Sequence, residues 1–81
     1  MKITLKLFGT LDRHLPPGAR GSACDLEVAD GALAHDVLAR LGVPVNEPGA
    51  VVVLANGRHC PPAYALQEGD ALSAFPAIAG G

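Results

Sequence analysis

The run Val51-Val52-Val53-Leu54-Ala55, followed at once by Asn56-Gly57, commits this chain to a β-sheet. β-Branched side chains lose rotamer freedom in a helix and fit a pleated surface. Asn and Gly both tolerate positive φ, so the dipeptide reads as a two-residue hairpin turn. The run carries no polar residue, the pattern of a central strand buried on both faces. Arg58-His59-Cys60 is then a short return strand, ended by Pro61-Pro62.

The other segments fit round this hairpin. Lys2 to Phe8 places Ile3, Leu5 and Leu7 at every second position, so the first strand has one buried face. Gly9 to Ser22 holds Pro16-Pro17-Gly18 and Gly21 and is too long for a tight turn, although Thr10 to His14 suits a short helical turn. Cys24 to Val28 alternates again and is the second strand. Asp30 offers an N-cap side chain, and Ala32 to Leu41 is the helix, with Leu33, Val37, Leu38 and Leu41 as its apolar stripe. Gly42 is the C-cap and Pro44 prevents resumption. Leu66 fills the core ahead of the Glu68-Gly69-Asp70 turn, in which Asp70 serves the turn itself. Ala71 to Phe75 is the last strand, stopped by Pro76. The predicted class is α+β: a mixed sheet of four to five strands with one main helix packed on one face, and the first and last strands adjacent at the centre.

Eighty-one residues make one domain, assigned to 1–75, followed by a flexible segment 76–81. Apolar residues are 49% of the chain, but only Phe8, Tyr64 and Phe75 are aromatic, so aliphatic residues fill the core and the two phenylalanines are free for another role. The net charge of −2 comes with scattered basic residues, which argues against nucleic acid. No apolar run is long enough to span a membrane, and the alternating start is unlike a signal peptide, so the expected compartment is the cytoplasm. Cys24 and Cys60 are then free thiols, Cys24 in a strand and Cys60 in a surface turn. His14, His35 and His59 share no ligand spacing, so no metal site is assigned. Ser22 and Ser73 lack a nucleophile turn, which argues against a hydrolase.

Beyond Phe75 the chain reads Pro76-Ala77-Ile78-Ala79-Gly80-Gly81. Six extended residues reach roughly 20 Å, and the last residues are slim enough for a narrow channel. The group delivered is the terminal carboxylate. By chance a glycine pair ends about one chain in two hundred, so the pair gains its weight from the taper and the Phe-Pro step before it.

Phe75-Pro76-Ala77-Ile78-Ala79-Gly80-Gly81 resembles the Phe-Pro-Pro-Val-x-Gly-Gly ending of the MoaD/ThiS family of sulfur carriers, ubiquitin-like β-grasp proteins. Ile3 to Gly9, Val53 to Gly57 and Leu66 to Leu72 match it as well, and the likeness is nearest to small subunits of molybdopterin synthase. The resemblance implies a chain that is no enzyme on its own and binds no cofactor. Gly81 would be adenylated by an E1-like enzyme (MoeB/ThiF-like) that uses ATP. A persulfide donor would convert it to a thiocarboxylate, and the large synthase subunit would receive the sulfur. Gly80 would keep the approach open, while Phe8, Phe75, Pro76, Ile78 and Ala79 would meet partners. Ala77 departs from the second proline of the motif, and His59-Cys60-Pro61-Pro62 matches no part of it. Two alternatives share the free Gly-Gly end: a carrier serving thiazole or cysteine synthesis, and a ubiquitin-like modifier or interaction module.

Overall fold

The computed structural model describes residues 1–17, 19 and 21–77. In chain order it contains β1 (Lys2–Leu7), a 3-10 helix (Gly9–His14), β2 (Ala23–Glu27), α1 (Ala34–Arg40), β3 (Val51–Ala55), β4 (Arg58–His59) and β5 (Ala71–Pro76). The strands form one sheet in the order β2-β1-β5-β3-β4. β1 and β5 run parallel at its centre, and the remaining pairs are antiparallel. This is the β-grasp arrangement expected from the sequence.

The core lies between the sheet and α1. Ile3, Leu5 and Leu7 of β1, Val53 and Ala55 of β3, and Leu72 and Ala74 of β5 meet Ala34, Val37 and Leu38 of the helix. Leu11, Val43, Cys60 and Leu66 close the edges. Ile3, Leu5, Leu7, Leu38 and Leu72 are the largest fully buried side chains, each worth ~1.5–3 kcal/mol in removal from water. No helix among the described residues is long and apolar enough to cross a membrane.

The helix is shorter than its sequence pattern. It begins at Ala34, with extended Leu33 as N-cap, and Asp30 does not cap it. Gly31 sits at φ +80°, inside a turn where Ala32 N–H donates to the Ala29 carbonyl. Leu33 then bridges to Ala65, and Ala34 N–H donates to the Tyr64 carbonyl at 2.9 Å. The backbone of 64–66 thus satisfies the helix start, and the exposed Asp30 carboxylate lies 3.5 Å from the Met1 ammonium. At the other end Gly42 is at φ +90°. Gly42 N–H donates to Ala39 and Val43 N–H to Leu38, the paired bonds of a Schellman stop.

Three further expectations change. β3 is buried on one face only: Val53 and Ala55 face the core, Leu54 is half-buried, and Val52 is 44% exposed. An all-apolar run hides its own alternation, so sequence could not reveal which face stays open. Cys60 is 2% exposed rather than on a surface turn, since its N–H donates to Val53 and folds it inward, while Cys24 is only half-buried. The last strand also does not stop at Phe75. Pro76 pairs with Val51, and Ala77 N–H donates to the Ala50 carbonyl at 2.9 Å. Proline lacks a donor but its neighbour does not, and Ala50, just ahead of β3, has a carbonyl to offer.

Candidate functional site

Strand alternation fixes what the sheet shows on the side away from α1. With Leu7, Val53 and Ala74 pointing at the helix, their neighbours Phe8, Val52, Leu54, Ser73 and Phe75 point the other way. Register sets them side by side: Val52 opposite Phe75, Leu54 opposite Ser73, Ser73 opposite Lys6. Phe8 N–H donates to the Ala74 carbonyl at 3.1 Å, which carries the pairing past the end of β1. The Phe8 and Phe75 rings stack with centroids 4.7 Å apart and planes 6° from parallel. Such a pair adds ~0.5–1.5 kcal/mol beyond its buried area. Val52 beside it is the one exposed large hydrophobic residue among those described.

The result is an apolar row across three strands, ending where β5 ends. Phe8 and Phe75, assigned to partner contact from sequence, are thus brought together, with Pro76 next in line. Val52 and Leu54 extend the row and were missed, because the sequence reads as continuous burial. Ile78, Ala79, Gly80 and Gly81 lie outside the described residues. Chemically, such a face excludes water against an apolar partner while the chain leaves it at one end.

A second cluster lies at the opposite end of β5. Asp70 is 7% exposed, and its carboxylate accepts three hydrogen bonds: from Asn56 Nδ2 at 2.9 Å, Tyr64 OH at 2.8 Å and Gln67 N–H at 2.9 Å. Burial is the largest single influence and pushes its pKa up, but the three donors together outweigh it and hold the carboxyl below its ordinary value. Its bond to Asp70, followed by burial, raises the Tyr64 hydroxyl pKa. Asn56 also accepts from Ala71 N–H at 2.9 Å. Asp70 therefore does more than serve its own turn: it ties the β3–β4 hairpin to the start of β5. Burial raises the thiol pKa of both Cys24 and Cys60, which disfavours the reactive thiolate. Among the described residues no group of three or more His, Cys, Asp or Glu is placed to hold a metal.

The five-strand order, with α1 packed on one face of the sheet, defines a ubiquitin-like β-grasp protein. The model of the Mut7-C ubiquitin family matches residues 1–80, and the chain belongs to that family. The solution structure of HVO 2177 from Haloferax volcanii is 33% identical, with a TM-score of 0.77, covering 100% of this chain and 87% of that one. SAMP1 of the same organism, a small archaeal modifier protein, is 27% identical with a TM-score of 0.71 over 100% of both chains. A chain from the complex of subunits 1 and 2 of molybdopterin-converting factor from Helicobacter pylori shares the fold, at 17% identity and a TM-score of 0.61 over 100% of both. No curated protein sequence matches the chain. The resemblance to MoaD/ThiS-like ubiquitin-fold proteins holds at the level of the fold.

Proposed function

We propose that the chain is a ubiquitin-like sulfur carrier working in the cytoplasm, with the Gly81 carboxylate as the group that carries the sulfur. One observation supports this above the rest: β5 ends beside the stacked Phe8 and Phe75 rings, and the sequence from there to Gly80-Gly81 is short, with Ile78 as its one large side chain. A partner that covers the apolar row receives the chain end in the same encounter.

The chemistry needs an activating partner, an E1-like adenylating enzyme of the MoeB/ThiF type. The carboxylate attacks the α-phosphorus of ATP and pyrophosphate leaves, giving an acyl-adenylate. The terminal sulfur of a persulfide attacks the acyl carbon and AMP leaves. A thiol then reduces the resulting acyl disulfide and releases the thiocarboxylate. By analogy with thiolates, that group is ionised at neutral pH and nucleophilic through sulfur. Molybdopterin synthesis is the favoured destination, with the large synthase subunit as receiving partner. The fold shared with a chain of the molybdopterin-converting complex supports this, as does the Phe75-Pro76 to Gly80-Gly81 pattern. The second reading is a protein modifier joined through the same carboxylate to a lysine amine, favoured by the 27% identity with SAMP1 over the whole chain.

Intact mass separates the two. Incubation with the activating enzyme, ATP and a persulfide donor adds about 16 Da if one oxygen is replaced by sulfur. Deleting Gly81 abolishes the gain. A covalent adduct on a lysine, with no 16 Da species, establishes the modifier instead.

A further inference from the structure

Gly9 lies where β1 gives way to the 3-10 helix, at φ +57°. A Cβ built there would sit 3.0 Å from Pro76 Cγ and 3.4 Å from Pro76 Cδ, tighter than most side-chain contacts, so that one of the two must give by a few tenths of an ångström. The proline ring therefore crowds the space that a side chain at position 9 would need. Neither partner has an easy retreat. Phe8 N–H is bonded to Ala74 and the Phe8 carbonyl to Leu11 N–H at 3.1 Å, which holds the backbone on one flank of Gly9. Pro76 has a ring closed on its own backbone, so it cannot swing aside as a flexible side chain would. It is held across the sheet by its pairing with Val51 and by the Ala77–Ala50 hydrogen bond.

We propose that Gly9 is a positioning residue for the carboxyl-terminal segment: the absence of a side chain there seats the Pro76 ring and sets the direction in which the chain leaves β5. The inference rests on the carrier reading for its functional consequence, but its structural part stands alone. With a Cβ at position 9, the Pro76–Ala77 step is the element that yields, because among the described residues one hydrogen bond, Ala77 N–H to Ala50, anchors the backbone beyond Pro76. The docking row is left in place while the chain leaves it at another angle. Where the change of angle displaces the reacting group by about 1 Å, the cost is up to about a hundredfold in rate.

The test compares Gly9→Ala with Gly21→Ala. Gly21 has φ +60° and nothing within 4 Å of its would-be Cβ, so it reproduces the backbone strain without the contact. Gly9→Asn carries the same Cβ on a residue that tolerates positive φ, and replaces Gly9→Ala if that variant does not fold. Exchange of the Ala77 amide, followed by NMR, should speed up about tenfold or more in the Gly9 variants and stay at the wild-type rate in Gly21→Ala. With the activating enzyme, kcat for thiocarboxylate formation should fall about tenfold to a hundredfold in the Gly9 variants, with KM near wild type. Ala77 exchange and kcat equal to those of Gly21→Ala overturn the proposal. If wild-type protein gains no sulfur, the carrier reading fails, and the exchange measurement still decides the role of Gly9.

Discussion

Replacing Asp70 by alanine removes one acceptor and strands three donors. Gln67 N–H is a backbone donor that cannot turn away to another partner as a side chain can, and loss of its charged acceptor costs ~1.5–3 kcal/mol. Tyr64 is half-buried and Asn56 exposed, so each recovers most of its bond from solvent and adds less. The expected loss for Asp70→Ala is about 3 kcal/mol, taken from a total stability on the order of 4–12 kcal/mol for a chain of this length. On a domain of this size that lowers Tm by roughly 12–24 °C. Urea unfolding and thermal melts at neutral pH measure it. Asp70→Asn, which keeps one acceptor oxygen but turns a donor toward the other bonds, falls between wild type and alanine.

The pH dependence gives an independent check. The folded-state pKa of Asp70 is depressed, so folding favours the ionised carboxylate. Its contribution is fully present above the unfolded-state pKa of about 4 and disappears as pH falls through the lower folded value. The stability gap between wild type and Asp70→Asn should therefore be constant from pH 5 to 7 and narrow below about pH 4. A gap unchanged down to pH 2, or an Asp70→Ala loss under about 1 kcal/mol, refutes the idea that the carboxylate holds the hairpin against β5.

Val52→Glu puts a charge on the exposed part of the apolar row without touching the core. KM for the activating enzyme should rise about tenfold while unfolding free energy moves by no more than about 1 kcal/mol, because the position faces solvent. An unchanged KM removes Val52 from the docking surface. Cys60, buried and held in the core, should react with a thiol reagent only as fast as the protein opens, whereas half-buried Cys24 reacts sooner; equal rates in native buffer contradict the burial of Cys60.

What the sequence revealed and what it concealed follow from one distinction. Periodicity is visible where polar and apolar residues alternate, so β1 and the stripe of α1 could be read from Ile3, Leu5, Leu7 and Val37, Leu38. In Val51 to Ala55 every residue is apolar, and only the register with Phe75 and Ser73 shows that Val52 and Leu54 look outward. Local rules also assume local partners. Asp30 has the chemistry of an N-cap, yet the helix start at Ala34 is satisfied by the carbonyl of Tyr64, far along the chain, which no local window of sequence contains. The same holds for Asp70: its turn was legible, but its bonds to Asn56 and Tyr64 arise only when the hairpin is folded back. On the site side, Phe8 and Phe75 could be picked out because so few aromatics are present, while Gly9 gave no signal, since its role depends on where Pro76 lands.

β5 joins these two regions. Its six residues span about 17–20 Å, from the Asp70 carboxylate just before Ala71 to the Pro76 ring against Gly9. Between those points the strand is hydrogen-bonded on both sides, parallel to β1 and antiparallel to β3, and its inward residues Leu72 and Ala74 are fully buried. A strand held residue by residue by both neighbours can open locally at one end while the rest stays paired, so loosening one end need not move the other. Substitutions around Asp70 should therefore lower stability while folded protein still presents its carboxyl end normally. Those at Gly9 should misdirect that end in a protein whose core is intact. The carrier reading needs this separation, because a chain that hands itself to successive partners has to keep a firm fold right up to the residue where the delivered segment begins.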